Sequence, residues 1–589
     1  MDLPLKGYWA LLAQYLKPLR FKVALLTILI FSTIGLQIIN PQIIRYFIDT
    51  AVAQGDEQAL LWAALVFLGA ALLLQGLSVA ATYIGEDVGW RSTNELRADL
   101  ARHCLGLDMS FHNDRTPGEM IERIDSDIAD IAIFFAQFVI RICGNVLLLL
   151  GVLVVLLWED WRVSLALAIY AVIALVALNY LRDVVVPYWK AAREASAELF
   201  GFLEEQLAGT EDTRANGAVA YVMRHLFKFN KNRLDTEVKG ATMSVLLMAV
   251  WTGLFMLGQI VAIVSGYMLF TGGAITIGTV YLIIQYTDTI FRPLREITQE
   301  IQNLQKAAAG IERVEALNAL ESKIKSPVPA QASTRLSAGP LAVAFNNVTF
   351  GYNEAEPVLQ NISFQLRPGQ TLGLLGRTGS GKTTITRLLF RLYDPNNGVI
   401  RLGQNGHTLD IRDVPLTDLR QYVGLVTQDV QLFQATVRDN LTFFNESIPD
   451  EAILKVIEEL ELFEWYQTLP KGLDTILASE GSSLSAGEAQ LLAFTRVFLT
   501  NPGLVILDEA SSRLDLATEQ LIERAVDKLL QGRTGIIIAH RLKTVQRADQ
   551  IMIVESGRIR EFGDYDDLAT NATSRFYALL KTGLEEVLV

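Results

Sequence analysis

Long apolar runs occupy the first 320 residues of the chain and limit what it can fold into. A helix needs about 20 mostly apolar residues to cross a bilayer. Six segments meet that requirement, near 23–46, near 59–84, up to Trp158, near 162–184, near 244–270 and near 277–298. The first half is therefore predicted to be a bundle of six membrane-spanning helices.

Composition excludes several classes of protein. The chain is 51% hydrophobic and 20% charged, with a mean hydropathy of +0.30, which excludes intrinsic disorder. Two cysteines, Cys104 and Cys143, cannot form a disulfide scaffold for 589 residues. The net charge of −13 argues against a nucleic-acid partner, because such proteins carry a basic face.

Loop lengths and charges predict the orientation of the helices in the membrane. The connections near 49–58, 159–161 and 271–276 are short, whereas those near 85–138 and 185–243 are long and helix-rich. Basic residues precede the first run (Lys6, Lys17, Arg20 and Lys22), and the first short loop carries only acidic charges. The positive-inside rule then places the amino terminus and both long loops in the cytoplasm. Six spans return the second half and the carboxy terminus to the cytoplasm too, so we expect a multi-pass protein of the cytoplasmic (inner) membrane.

The second half, residues 341–589, has a different pattern, with short apolar strands alternating with amphipathic helices. Such alternation predicts an α/β domain built on a parallel sheet. A Pro-, Ser- and Ala-rich stretch, 322–340, separates the halves and is predicted to be an extended linker.

A glycine-rich loop in the second half predicts a phosphate site. An apolar strand at 372–375 meets Gly-x-x-x-x-Gly-Lys-Thr, and a helix follows. In such a loop the backbone N–H groups and the helix amino terminus face the phosphates. Lys382 would neutralise phosphate charge during catalysis, and the Thr383 hydroxyl would bind Mg²⁺. The predicted nucleotide contacts are Gly376, Arg377, Thr378, Gly379, Ser380, Gly381, Lys382, Thr383 and Thr384.

A second strand carries two carboxylates at its end. Residues 504–509 read LVILDE, in which four apolar residues predict a buried parallel strand. Asp508 is predicted to hold Mg²⁺, and Glu509 to activate the attacking water as general base.

The order of these motifs resembles that of the ATP-binding cassette (ABC) proteins. The loop 376–383, LSAGE (484–488), LVILDE, SSRLD (511–515) and IIIAHRL (536–542) follow one another as in that family. Six spans before one cassette resemble a half-size ABC exporter of the multidrug and lipid type. The resemblance implies an all-α six-helix transmembrane domain (1–321), the linker (322–340) and an α/β P-loop ATPase domain (341–589).

The resemblance also implies roles for residues outside the two core motifs. Tyr352 corresponds to the aromatic residue that stacks on adenine, and Gln428 to the glutamine that senses Mg²⁺ and water. His540 corresponds to the histidine that contacts the γ-phosphate, and Asp515 to an aspartate that communicates across the cassette dimer. Glu480 corresponds to an acidic residue that contacts the membrane domain.

The signature segment departs from the common family form LSGGQ. Ser485 and Gly487 are kept, and in the family they cap the ATP bound to the opposite subunit, so a second half-transporter is required. Glu488 replaces glutamine and leaves two readings open. It forms a capping box with Ser485, or its carboxylate faces the γ-phosphate and weakens ATP capping, which would favour a heterodimer over a homodimer.

The resemblance implies ATP-driven export of an amphipathic small molecule, drug or lipid by alternating access, with ATP and Mg²⁺ as cofactors. Alternatives are export of a peptide and an ATP-gated regulatory membrane protein. Segments 102–128, with Phe111, Gly118 and Glu119, and 197–218 resemble the coupling regions of exporters.

Charges within the membrane runs are candidates for substrate contacts. Asp288 and Arg292 lie four residues apart in the sixth run, where they form either a functional site or an intrahelical ion pair. Pro293 follows and could kink that helix. Arg141 is expected near the inner interface in a structural role.

Overall fold

A computed structural model describes the chain over residues 13–137, 142–327, 335–353, 356–404, 406–428, 430–477, 484–508, 516–539 and 542–582. Over these residues two compact units form. The membrane unit comprises Met1–Leu105 and Thr116–Leu320, and the ATPase unit comprises Gly106–Arg115 and Glu321–Val589. The short segment Gly106–Arg115, which lies within the first predicted coupling region, therefore packs as part of the ATPase unit.

Helices form the membrane unit. In chain order they are α1 (Arg20–Val52), α2 (Glu57–Gly106), α4 (Pro117–Ile121), α5 (Ile128–Gln137), α6 (Gly144–Glu159), α7 (Trp161–Ala208), α8 (Thr210–Ala215), α9 (Val219–Thr271) and α10 (Ile277–Asn318), with α3 (Met109–Asn113) belonging to the ATPase unit. Each of the six apolar runs lies in one of the helices α1, α2, α6, α7, α9 and α10. α10 continues through Pro293.

Length and composition make four of the described helical segments able to cross a membrane: Ala13–Val52, Glu57–Gly106, Trp161–Ala208 and Val219–Thr271. Helix α6 is apolar but shorter in its described part, and α10 is amphipathic. A helical transmembrane domain is thus confirmed, and the count of six spans stays a prediction.

One hydrophobic core holds α6, α7, α9 and α10 together. Leu148, Val152 and Leu156 recur every four residues along α6 and bury one face of it against the other three helices. The approach of α7 to α9 depends on Gly258, where an added Cβ would lie 2.6 Å from the Tyr170 ring. The Tyr170 hydroxyl donates to Leu254 O at 3.0 Å across the same contact.

Polar contacts join the helices near the predicted outer loops. Arg45 of α1 donates to Glu159 at the end of α6. Asp49 accepts hydrogen bonds from Gly278 N at 2.9 Å and from Thr276 Oγ1 at 2.8 Å, at the start of α10. The three helix ends are therefore tied together where the connecting loops are short.

Two sheets form the ATPase unit. The strands are β1 (Ala342–Phe350), β2 (Leu359–Leu366), β3 (Thr371–Leu375), β4 (Asn397–Gln404), β5 (His407–Asp410), β6 (Val423–Val426), β7 (Leu504–Asp508), β8 (Thr534–Ile538), β9 (Gln550–Glu555) and β10 (Arg558–Asp564). The first sheet has the order β2-β1-β4-β5 and is antiparallel. The second has the order β10-β9-β3-β8-β7-β6 and is parallel except at β10.

Helices surround these sheets in the part of the unit that the structure describes. They are α11 (Lys382–Leu389), α12 (Leu416–Tyr422), α13 (Val437–Thr442), α14 (Asp450–Glu459), α15 (Phe463–Thr468), α16 (Ala486–Thr500), α17 (Leu516–Leu530), α18 (Leu542–Val545), α19 (Tyr565–Thr570) and α20 (Arg575–Thr582). Alternate residues of β7 enter different cores, with Leu504 and Ile506 on one side and Val505 and Leu507 on the other. The parallel sheet is therefore buried on both faces, as its continuous apolar strands require.

Asp108 joins α3 to the linker within the ATPase unit. Its carboxylate caps α3 by accepting from Ser110 N at 3.1 Å and also accepts from Lys323 N at 2.7 Å. Burial alone would raise the pKa of Asp108, but these hydrogen bonds outweigh burial and leave that pKa below its ordinary value.

Candidate functional site

The glycine-rich loop folds as the sequence predicts, between β3 and α11. Gly376, Gly379 and Gly381 all adopt positive φ, and a Cβ at Gly376 would lie 2.3 Å from Val554 O. Only glycine tolerates such backbone at such close approach. The loop therefore turns its backbone inward before the first turn of α11.

Lys382 lies inside this loop. It is 6% exposed, and its ammonium donates to Gly376 O at 2.6 Å and to Arg377 O at 3.0 Å. Ser380 Oγ is buried without a hydrogen-bond partner among the described residues. A buried polar atom that the protein leaves unsatisfied fits a loop that closes around an anionic ligand.

The residues around Lys382 differ in exposure. Arg377, Thr378 and Gly379 are exposed at the tip of the loop, and Thr383 is exposed in the first turn of α11, whereas Thr384 is buried. The exposed Thr383 hydroxyl is an oxygen donor of the type that Mg²⁺ prefers.

Tyr352 lies beside the amino-terminal half of α11. Its hydroxyl is 3.2 Å from Thr384 Oγ1 and accepts from Arg387 Nη1 at 3.0 Å. The ring meets Tyr393 edge-on at 5.1 Å, and the residue is 41% exposed. An accessible aromatic ring next to the phosphate loop is the arrangement that base stacking needs.

The adjacent parallel strands β3, β8, β7 and β6 end at the same edge of the second sheet. The phosphate loop follows β3, Asp508 is the last residue of β7, and Gln428 lies exposed two residues after β6. In open α/β sheets this edge is where ligands bind. Glu509, Asp515 and His540 lie outside the described residues, and so do Glu480 and Arg141, so their roles stay predictions.

The signature segment forms the capping box that the sequence predicts. Ser485 Oγ accepts from Glu488 N at 3.3 Å, and Glu488 Oε2 accepts from Ser485 N at 2.7 Å. Trp465 Nε1 of α15 donates to Glu488 Oε1 at 3.1 Å. Both carboxylate oxygens therefore accept hydrogen bonds within the cassette. Gly487 is buried, whereas Ser485 is exposed.

Sequence reasoning missed Arg496, which joins the signature helix α16 to the segment after Gln428. Its guanidinium donates to Asn440 O at 2.6 Å and to Gln431 O at 3.0 Å and lies over the Phe443 ring. Burial lowers the pKa of Arg496 to about 10, which leaves it charged at neutral pH. A single charge in the apolar run LLAFTRVFL was the signal that could have identified it.

A second unpredicted contact joins α3 to Tyr352. Asn113 Nδ2 donates to the hydroxyl of Tyr393 at 2.5 Å, and Tyr393 in turn meets the ring of Tyr352. The segment that resembles a coupling region is therefore linked to Tyr352, the predicted adenine contact, through the side chain of Tyr393.

Of the two readings of Asp288 and Arg292, the intrahelical ion pair does not form. Arg292 Nε donates instead to Glu296 Oε1 at 3.1 Å, and Asp288 accepts a hydrogen bond from Gln259 of α9. Arg292 therefore pairs with Glu296 one turn further along the same helix, and Asp288 pairs with Gln259 of a neighbouring helix, so the two do not pair with each other.

Comparison with known proteins identifies the family. The model of the ABC transporter transmembrane region matches residues 23–294, and the ABC transporter model matches residues 359–512. An ATP-dependent lipid A-core flippase of Thiobacillus denitrificans is 30% identical over 570 residues, which cover 95% of each chain. The chain belongs to the ABC transporter family.

A further relative and a solved structure are similar to nearly the whole of this ABC transporter chain. The putative multidrug export ATP-binding/permease protein YgaD of Bacillus subtilis is 27% identical over 562 residues, 94% of this chain and 96% of that protein. A bacterial Atm1-family ABC exporter, solved with ATP bound, is 26% identical with a TM-score of 0.77 and covers 96% of this chain and 97% of that one. The ABC protein is therefore a half-size, ATP-hydrolysing exporter with a helical transmembrane domain and an α/β ATPase domain.

Proposed function

We propose that this ABC exporter works as a pair of half-transporters and moves an amphipathic small molecule, drug or lipid outward by alternating access. The observation that supports this most directly is the phosphate loop wrapped around Lys382 at the carboxyl edge of the parallel sheet. ATP binding and hydrolysis at that edge would drive the change in the membrane unit.

The chain's own residues would divide the work at the nucleotide. Lys382 would exchange its carbonyl contacts for phosphate oxygens, and Tyr352 would stack on the base. Thr383, Gln428 and Asp508 would hold Mg²⁺, which when bound supplies charge neutralisation at the β- and γ-phosphates. Glu509 would take a proton from the attacking water, and His540 would contact the γ-phosphate.

A second cassette would complete each site. Ser485 and Gly487 open the signature helix α16, whose amino terminus provides N–H groups and positive potential for a phosphate of the partner's ATP. Asp515 would contact the same interface. Since the Glu488 carboxylate already accepts two hydrogen bonds inside its own cassette, the electrostatic reason for assigning this chain to a heterodimer is weakened, and a homodimer is the simpler assembly.

The charge pattern supports the placement of the cassette and both termini in the cytoplasm, at the inner membrane. Lys17, Arg20 and Lys22 lie before or at the start of the first span, whereas the short loop after it carries Asp56 and Glu57.

Reconstitution of the purified chain in proteoliposomes tests the proposal. We expect ATP hydrolysis by the chain alone and ATP-dependent movement of an amphipathic dye into vesicles that carry outward-facing cassettes. Glu509→Gln in the same vesicles is the control for ATP-driven transport. Negligible hydrolysis by the chain alone, restored by one partner chain, would refute the homodimer, and hydrolysis by a strictly monomeric chain would refute the shared site.

A further inference from the structure

Helices α9 and α10 line an open cavity of about 530 Å³ in the membrane unit. Its wall includes three aromatic side chains, Trp251 and Phe255 from α9 and Phe291 from α10. The Phe291 ring lies 5.0 Å from Trp251 and 5.1 Å from Phe255 between centroids, in edge-on and tilted geometry. The volume and the mostly apolar lining are those of sites for small organic ligands.

Two charged side chains line this cavity, and their partners differ. Arg292 pairs with Glu296 at 3.1 Å, and Glu296 also accepts from Asn145 Nδ2 at 2.7 Å. Asp288 accepts only from the neutral amide of Gln259, and among the described residues it has no ion-pair partner. The cavity therefore combines a balanced guanidinium with a carboxylate whose charge is not balanced.

We propose that the cavity binds the exported substrate, and that this substrate is an amphipathic organic cation with an aromatic group. The proposal rests on the proposed export function and names its substrate class. The cationic centre would pair with Asp288, since a hydrogen bond or contact between charged groups is stronger than one between neutral groups.

The aromatic wall adds to this preference. Aromatic rings such as those of Trp251, Phe255 and Phe291 attract a cation at their faces and pack against an aromatic ligand at their edges. An organic anion of the same shape would meet the Asp288 carboxylate, while Arg292, the cationic side chain among the lining residues, is already engaged by Glu296.

Two probes of the same shape and opposite charge test the proposal: tetraphenylphosphonium and tetraphenylborate. Binding to the purified full-length chain is followed by quenching of tryptophan fluorescence and by equilibrium dialysis, and ATP hydrolysis is measured in the same preparation. We expect the wild-type chain to bind the cation more tightly than the anion, and the cation to stimulate hydrolysis. Equal or tighter binding of tetraphenylborate would overturn the proposal without any variant.

Asp288→Asn keeps the shape of the side chain and removes its charge. We expect roughly tenfold weaker binding of tetraphenylphosphonium, about the size of one charge-assisted contact, and no weakening for tetraphenylborate, whose retained binding shows that the cavity is folded. Asp288→Glu should keep the cation preference.

The matched control is Asp235→Asn, which removes the same charge from an exposed position of α9 outside the cavity and should change neither affinity. Unchanged cation affinity in Asp288→Asn would overturn the proposal, and equal losses in both variants would do the same. Absence of a cation preference in a wild-type chain that still hydrolyses ATP refutes only the substrate class, whereas absence of hydrolysis that no partner chain restores refutes the proposed function.

Discussion

Glu488→Gln separates the two readings of the unusual signature segment. In the structure the carboxylate accepts from Ser485 N at 2.7 Å and from Trp465 Nε1 at 3.1 Å, so it is held at the amino terminus of α16. Glutamine at this position has one carbonyl oxygen and retains one of these two hydrogen bonds. We therefore expect the apparent affinity for ATP to change by less than about twofold.

The alternative reading predicts a much larger change. A carboxylate about 4 Å from a phosphate charge would oppose ATP binding by roughly 1–4 kcal/mol, for effective dielectric constants between those of water and of a protein surface. Removing that charge would tighten ATP binding by about 5-fold to 1000-fold. The two readings therefore predict ATP affinities for Glu488→Gln that differ enough for a titration to distinguish them.

The capping reading also predicts a loss of stability. Glu488→Gln loses one hydrogen bond and the interaction of a negative charge with the amino terminus of α16, together about 1 kcal/mol. Glu488→Ala loses both hydrogen bonds and half of the capping box, and should cost about 1–2 kcal/mol.

The assay is a titration of full-length protein with ATP, scored by hydrolysis rate and by binding of a fluorescent ATP analogue, together with thermal denaturation. Trp465→Phe is the matched control because it removes the indole N–H contact to Glu488, together with part of a ring packed against the core, and leaves the carboxylate charge in place. A fivefold or larger gain of ATP affinity in Glu488→Gln, with no gain in Trp465→Phe, would refute the capping interpretation.

Three further changes test other parts of the site. Lys382→Ala removes the cation at the centre of the phosphate loop and should abolish ATP binding in an equilibrium titration; unchanged affinity would contradict its role. Glu509→Gln should hold ATP in a closed dimer with turnover reduced at least 100-fold, as expected for loss of a general base, and wild-type turnover would exclude Glu509 as that base. Tyr393→Phe removes the hydroxyl that accepts from Asn113 and should leave basal hydrolysis within about twofold while reducing its stimulation by substrate, so unchanged stimulation would show that this contact does not couple the two processes.

Much of the architecture could be predicted because it depends on near neighbours in the chain. The strand predicted at 372–375 is β3, Thr371–Leu375, and the apolar run LVILD is β7. The glycines of the phosphate loop adopt the positive φ angles that make glycine necessary there. The capping box joins Ser485 to Glu488, three positions further along the chain, so a local rule was sufficient to find it.

The partners of single charges could not be predicted from the sequence. The spacing of Asp288 and Arg292 suits an intrahelical pair, but Gln259 and Glu296 compete for the same groups and form the observed hydrogen bonds. Gln259 comes from another helix, and nothing in the sequence shows that α9 brings it to α10. Arg496 was missed for the same reason, since its acceptors lie 56 and 65 residues away.

The sequence by itself therefore determined the division into a helical membrane half and an α/β cassette, the family, and the loop that holds Lys382. Apolar length, residue periodicity and the steric freedom of glycine are local properties, and they act the same way in any fold. Tertiary structure alone decided which partner each charge receives, that Gly106–Arg115 packs with the ATPase unit, and that Asn113 reaches Tyr393. Apart from the pair of Arg292 with Glu296, these contacts join residues far apart in the chain, and only the packing of helices and sheets brings them within hydrogen-bond distance.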